Sequence, residues 1–154
     1  MRRHPLPDND IITDDGNAEL QQAFSLLLPI RRQRLRRSER LQRQAEQALR
    51  ETQRQSAEAE QQLAAAQQHY QQLRESFAEH HQSGLQKQER LVEGLTEERQ
   101  ASDAVSGQRN QLQQCRTQQV TQQQQVQHAQ QQTQARLRDV EKLEYLMEHS
   151  EALR

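Results

Sequence analysis

The chain has 154 residues, 31% of them apolar, a formal net charge of −1, and only four aromatic side chains: Phe24, Tyr70, Phe77 and Tyr145. So small an apolar share excludes a single closed globular core, and the near-neutral balance excludes bulk attraction to nucleic acid or acidic lipid. Glutamine fills 33 positions, and no proline follows Pro29 in the remaining 125 residues. An interior proline costs about 3 kcal/mol in a helix, so a proline-free run of straight-chain helix formers fits helix better than disorder.

Residues 1–16 hold Pro5, Pro7, four aspartates and Gly16, and are expected as a disordered N-terminal extension. Asn17 has the chemistry of an N-cap for the segment that follows. Leu20, Phe24, Leu27 and Leu28 then recur at helical spacing up to Pro29, where a kink or break is expected.

Past Pro29 one long helix is expected, so that helix 1 covers about 18–81. Apolar or small residues recur at Leu41, Ala45, Ala48, Thr52, Ser56, Ala59, Leu63, Ala66, Tyr70, Leu73 and Phe77. Steps of four and three alternate, with two consecutive fours around Thr52 that read as a stutter. Gly84, behind Gln82 and Ser83, marks a turn at about 82–86. Helix 2, about 87–152, carries a sparser stripe through Leu91, Leu95, Ser102, Val105, Leu112, Val126, Thr133, Leu137, Val140 and Met147.

Folding the chain at residue 84 gives two arms of equal length, each about 100 Å at 1.5 Å per residue. It also lays the greasy segment Leu20–Leu28 beside Val140, Leu143 and Met147. The fold class expected is therefore all-α: a long antiparallel two-helix coiled-coil hairpin, residues 17–152, behind a disordered extension. Between Gln108 and Gln134 only Leu112, Val120 and Val126 are large and apolar, so this glutamine-rich stretch is expected as helix that packs weakly.

Candidate chemistry is sparse. The four glycines are scattered, giving no phosphate loop. His80 and His81 point about 100° apart on a helix and have no carboxylate or thiol cluster beside them, so solvated histidines outweigh a metal site. Cys115 is the single cysteine and has no spaced histidine. No enzyme activity, cofactor or metal is expected. The start MRRHPLPDND leads into no apolar run, no stretch is long enough to span a membrane, and a lone thiol suits a reducing compartment. A cytoplasmic protein is expected.

The sharpest feature is the belt RRQRLRRSERLQR, in which Arg31, Arg32, Arg34, Arg36, Arg37, Arg40 and Arg43 face a single Glu39. A DNA-reading basic region would need the asparagine and alanines that such helices set on base edges, and a membrane-surface helix would need aromatic anchors. A solvated helix face competes with a cationic collar that steers an acidic protein partner, and seven arginines in 13 residues favour the collar. Tyr70 and Phe77, seven residues apart on one face, suit core packing first and a docking patch second.

The stretches SLLLPIRRQRLRRSERLQRQAEQAL and AEQQLAAAQQHYQQLRESF, set in a proline-free hairpin, resemble the type III secretion central-stalk proteins, the HrpO/YscO group related to the flagellar protein FliJ. The likeness covers roughly residues 20–150. It implies a non-enzymatic stalk at the cytoplasmic face of a secretion apparatus, with its paired ends entering the pore of a hexameric secretion ATPase. The rest would reach the cytoplasmic ring of the export gate, with chaperones left open as a further partner class. Under that resemblance the seven arginines are the ATPase-facing collar, and Tyr70 and Phe77 are candidates for the gate contact. A basic coiled coil that binds nucleic acid and a generic scaffold or adaptor rod are the alternatives.

Overall fold

The computed structural model describes residues 5–81 and 88–152. They form two helices, α1 (Pro5–His81) and α2 (Gln88–Ala152), with no strand among the described residues. The helices pack on each other as an all-α hairpin. The expected turn at 82–86 lies outside the described residues.

Two expectations about α1 differ from the structure. Residues 5–16 are helical and continuous with α1, where a disordered extension was expected, and Asn17 lies inside the helix instead of capping it. Pro5 and Pro7 fall in the first turn, where four backbone amides have no intrahelical acceptor in any case, so proline forfeits nothing there. Of the kink or break expected at Pro29, the break is absent: α1 runs through it. The missing Pro29 amide leaves one carbonyl, that of Ser25, without its helical donor, while Phe24 and Leu28 before the proline and Leu35 after it are buried or half-buried.

The contacts divide into two compact units, one made of Met1–Ala45 with Gln125–Arg154 and the other of Glu46–Gln124. In the first unit Gln21 Nε2 donates to Ser150 Oγ at 2.6 Å and Arg31 Nη1 to the Asp139 carbonyl at 2.9 Å. In the second, Arg116 bonds Glu60 at 3.1 Å and Arg74 lies 3.8 Å from Glu98. As the α1 number rises its partner's number falls, so the helices are antiparallel within each unit. The midpoints of these pairs fall between residues 85 and 88, a little beyond the expected 84.

The buried edge of α1 is more regular than its apolar residues suggest. In the first unit Phe24, Leu28, Arg31, Leu35, Ser38, Gln42 and Ala45 are buried or half-buried; in the second, Leu49, Thr52, Ser56, Ala59, Leu63, Ala66, Tyr70, Leu73 and Phe77 are. Every step is three or four in alternation, which is the heptad rule without interruption. The expected stutter at Thr52 is absent. It arose from placing Ala48 before Thr52, whereas Leu49 gives the regular step; further up, Leu41 is exposed and Ser38 and Gln42 take the inward positions. On α2 the inward set is likewise offset: Leu91, Leu95 and Leu137 are exposed, and Glu98, Ala101 and Arg136 face inward in their place.

In the second unit Ala59, Leu112 and Cys115 form a small core with Leu63 against it. In the first, Phe24, Val126, Val140 and Leu143 are buried. The glutamine-rich stretch is helical throughout, with Gln119, Gln122, Val126, Ala129 and Thr133 turned inward. Ser56 Oγ, Gln108 Oε1 and Gln122 Oε1 are buried without a hydrogen-bond partner. Each such group costs about 1–3 kcal/mol, so polar seam positions weaken the packing there.

Candidate partner-binding surfaces

The arginine belt divides once the register is known. Arg31 is half-buried in the seam and is held by the Asp139 carbonyl. Arg32 pairs with Glu144 at 3.2 Å. Arg34, Arg36, Arg37, Arg40 and Arg43 are exposed and enter no ion pair among the described residues. Two of the seven thus bind the hairpin itself and five are left for solvent or a partner.

The register also layers the charge along this unit. By the Gln21–Ser150 and Arg31–Asp139 pairs, residues 31–43 lie beside 128–139. That band holds nine Arg residues against Glu39 and Asp139. Residues 17–30 lie beside 140–152 and hold five glutamates against Lys142. The acids near the C-terminal end are therefore offset from most of the arginines and leave them uncompensated.

Tyr70 and Phe77 are both half-buried in the seam of the second unit. The Arg74 guanidinium sits 5.7 Å above the Tyr70 ring while reaching towards Glu98 at 3.8 Å. This cation–π contact is of the ordinary surface kind, and it ties the aromatic edge to α2 through one arginine. Both rings keep part of their surface outward, so packing and docking are compatible at this site.

In the second unit a groove of about 480 Å³ runs between Arg54, Gln62, Gln111 and Gln118, with Cys115 beneath it. Its lining is mostly glutamine amide, with the Glu58 carboxylate at its wall. Arg54 bonds Glu51 at 2.7 Å and Glu58 at 3.2 Å, and the Arg54 hydrogen bond holds the Glu51 carboxyl below its usual range. Such exposed pairs add little to stability. Among the described residues no three His, Cys, Asp or Glu side chains are grouped to hold a metal, and no helix is long and apolar enough to cross a membrane.

Comparison of the chain with family models, with curated proteins and with solved structures returns no match.

Proposed function

We propose that the chain is the non-enzymatic central stalk of a type III secretion system, coupling the hexameric secretion ATPase to the export gate. The observation that carries this reading is the band of nine Arg residues beside the paired chain ends, with five arginines of the belt pointing outward and unpaired. A helical hairpin whose beginning is bonded to its end presents that band to a surrounding ring from several directions. An acidic pore lining would be attracted to it over a Debye length and oriented by it. Tyr70 and Phe77, on the other unit, are the proposed gate contact.

The alternative of a basic zipper on nucleic acid requires two parallel helices that fork across the duplex, and the chain's own helices pair antiparallel. A generic scaffold would not need arginines concentrated at one level.

Binding of the purified protein to the secretion ATPase tests the proposal. Charge reversal at Arg34, Arg36 and Arg37 is expected to lower affinity at least tenfold at low salt and to flatten its salt dependence; unchanged affinity would remove the collar from the mechanism. Tyr70→Ala with Phe77→Ala is expected to leave ATPase binding intact and abolish gate binding, with circular dichroism checking that the helices persist. A double variant that still binds the gate would free the aromatic pair of that role.

A further inference from the structure

The three orphaned polar atoms of the second unit share one cause. Ala59 packs with Leu112 and Cys115, and Glu60 pairs with Arg116 at 3.1 Å, which fixes how the inward residues of the two helices face each other. Counting away from the Ala59–Leu112 layer in steps of three and four, Ser56 faces Cys115, Leu63 faces Gln108 and Leu49 faces Gln122. Arg74, 3.8 Å from Glu98, agrees with the same count further along. Each polar side chain therefore meets an aliphatic group or a thiol, and Ser56 Oγ, Gln108 Oε1 and Gln122 Oε1 are the atoms left buried without a partner. The same count sets Leu73 against Glu98 and Phe77 against Gly94.

A heptad pattern repeats every seven residues. Sliding one helix along the other by seven residues, about 10 Å, thus returns every inward position to the seam. Slid so that each α1 residue meets an α2 residue seven further along, Ser56 faces Gln122 and Tyr70 faces Gln108. Both layers then set a hydroxyl donor against an amide oxygen, and all three orphans gain a partner. Leu73 moves from Glu98 to Val105, Phe77 from Gly94 to Ala101, and Leu112 exchanges one alanine, Ala59, for another, Ala66. The exposed Glu60–Arg116 pair is lost, at little cost. A slide the other way is poorer, since it sets Ala66 against Glu98 and Tyr70 against Gly94. The first unit has the opposite preference. Counting there from Gln21, bonded to Ser150, Phe24 faces Met147 and Leu28 faces Leu143, and the slide parts both pairs.

We propose that the hairpin is a two-register switch, in which the second unit slides by one heptad into the register that satisfies Ser56, Gln108 and Gln122. Both helices run through both units, so the apolar layers of the first unit hold the observed register. A partner that separates the paired chain ends releases the slide, to the extent that it prefers them separated. The inference rests on the seam alone and is independent of the secretion reading.

Disulfide trapping in the full chain, in a Cys115→Ser background, tests this. Leu73→Cys is combined in turn with Glu98→Cys, Val105→Cys or Leu91→Cys, and cross-linking within single molecules is timed under mild oxidation. The 73–98 pair reports the observed register, 73–105 the slid one and 73–91 the opposite slide. A disulfide needs its α carbons within about 7 Å, so registers about 10 Å apart are distinguished. The 73–98 pair is expected to close fastest and 73–105 more slowly. Leu28→Ala with Leu143→Ala, which loosens the first unit, is expected to speed 73–105 at least tenfold while the circular dichroism of helix persists. Failure of 73–105 to form in either background overturns the proposal, and 73–91 closing as fast as 73–105 overturns the direction of the slide. Gln108→Leu with Gln122→Leu sets leucine against leucine in the observed register, at positions where a coiled coil ordinarily carries it. That variant is expected to fold and to slow 73–105 at least tenfold; an unchanged rate overturns the part given to the buried polar groups.

Discussion

At the scale of single residues, polar side chains occupy positions that a coiled coil normally fills with leucine. Ser56 Oγ is buried with no partner, and its neighbours along the seam are Thr52 and Ala59. Ser56→Ala removes the unsatisfied hydroxyl and keeps the volume nearly unchanged, so it is expected to stabilise the protein by about 1 kcal/mol. Thermal unfolding checks this, and a lower midpoint would mean that the hydroxyl has found an acceptor. Arg31 illustrates the same economy of apolar groups differently: its stem fills a seam position and its head is satisfied by a carbonyl of the opposite helix. The arginine belt was plain in the sequence as a run. Which members are occupied was not, because that depends on the register between helices, and register is set by contacts more than a hundred residues apart.

At the scale of elements, the hairpin was legible because its signals are redundant over many turns: absence of proline, heptad spacing and one central glycine-containing gap. Exact inward positions were less so. Leu41, Leu91, Leu95 and Leu137 were read as seam residues from their own greasiness, yet all are exposed. A regular 3-4 succession anchored by many weaker residues outweighs a few strong ones, since carrying the phase of Leu41 down the helix without a stutter would misplace Ser56, Leu63, Tyr70 and Phe77. The opposite error occurred at the start of α1, where local proline and aspartate content suggested disorder and helix is observed. Glutamine sets the character of α2 between 108 and 134. With so few aliphatic side chains to hold it beyond Cys115, amides at 116–134 are expected to exchange at least tenfold faster than those around Leu112 in α2's small core or Leu143 further along. Hydrogen exchange by mass spectrometry checks this, and uniform slow exchange across the stretch would show that inward glutamines pack better than their chemistry suggests.

At the scale of the whole molecule, the two units differ in how the chain makes them. One is a contiguous stretch, Glu46–Gln124, and the other joins the two ends of the sequence. Contacts within the contiguous unit close shorter loops, 56 residues for Arg116 with Glu60 against 129 for Gln21 with Ser150. Shorter loops close at lower entropic cost, so the contiguous unit is expected to form first. Deleting residues 125–154 is therefore expected to leave 46–124 helical. Residues 17–45 should lose helicity as well, since an unsupported helix is marginal in water. A loss of circular dichroism signal limited to the thirty deleted residues would show that α1 holds its shape alone.

The distance along the chain between Arg31 and its acceptor on Asp139, 108 residues, also has a meaning in time. During translation the arginine belt leaves the ribosome long before the strand of helix that will lie against it has been made. At about 5–20 residues per second the interval is roughly 5–20 s. Throughout it, seven guanidinium groups and a row of leucines travel without their intramolecular neighbour beside the polyanionic surface of the machine that is making them. A nascent chain built this way needs either a companion that shields its first third or a folding order in which that third stays unengaged until the last helix arrives.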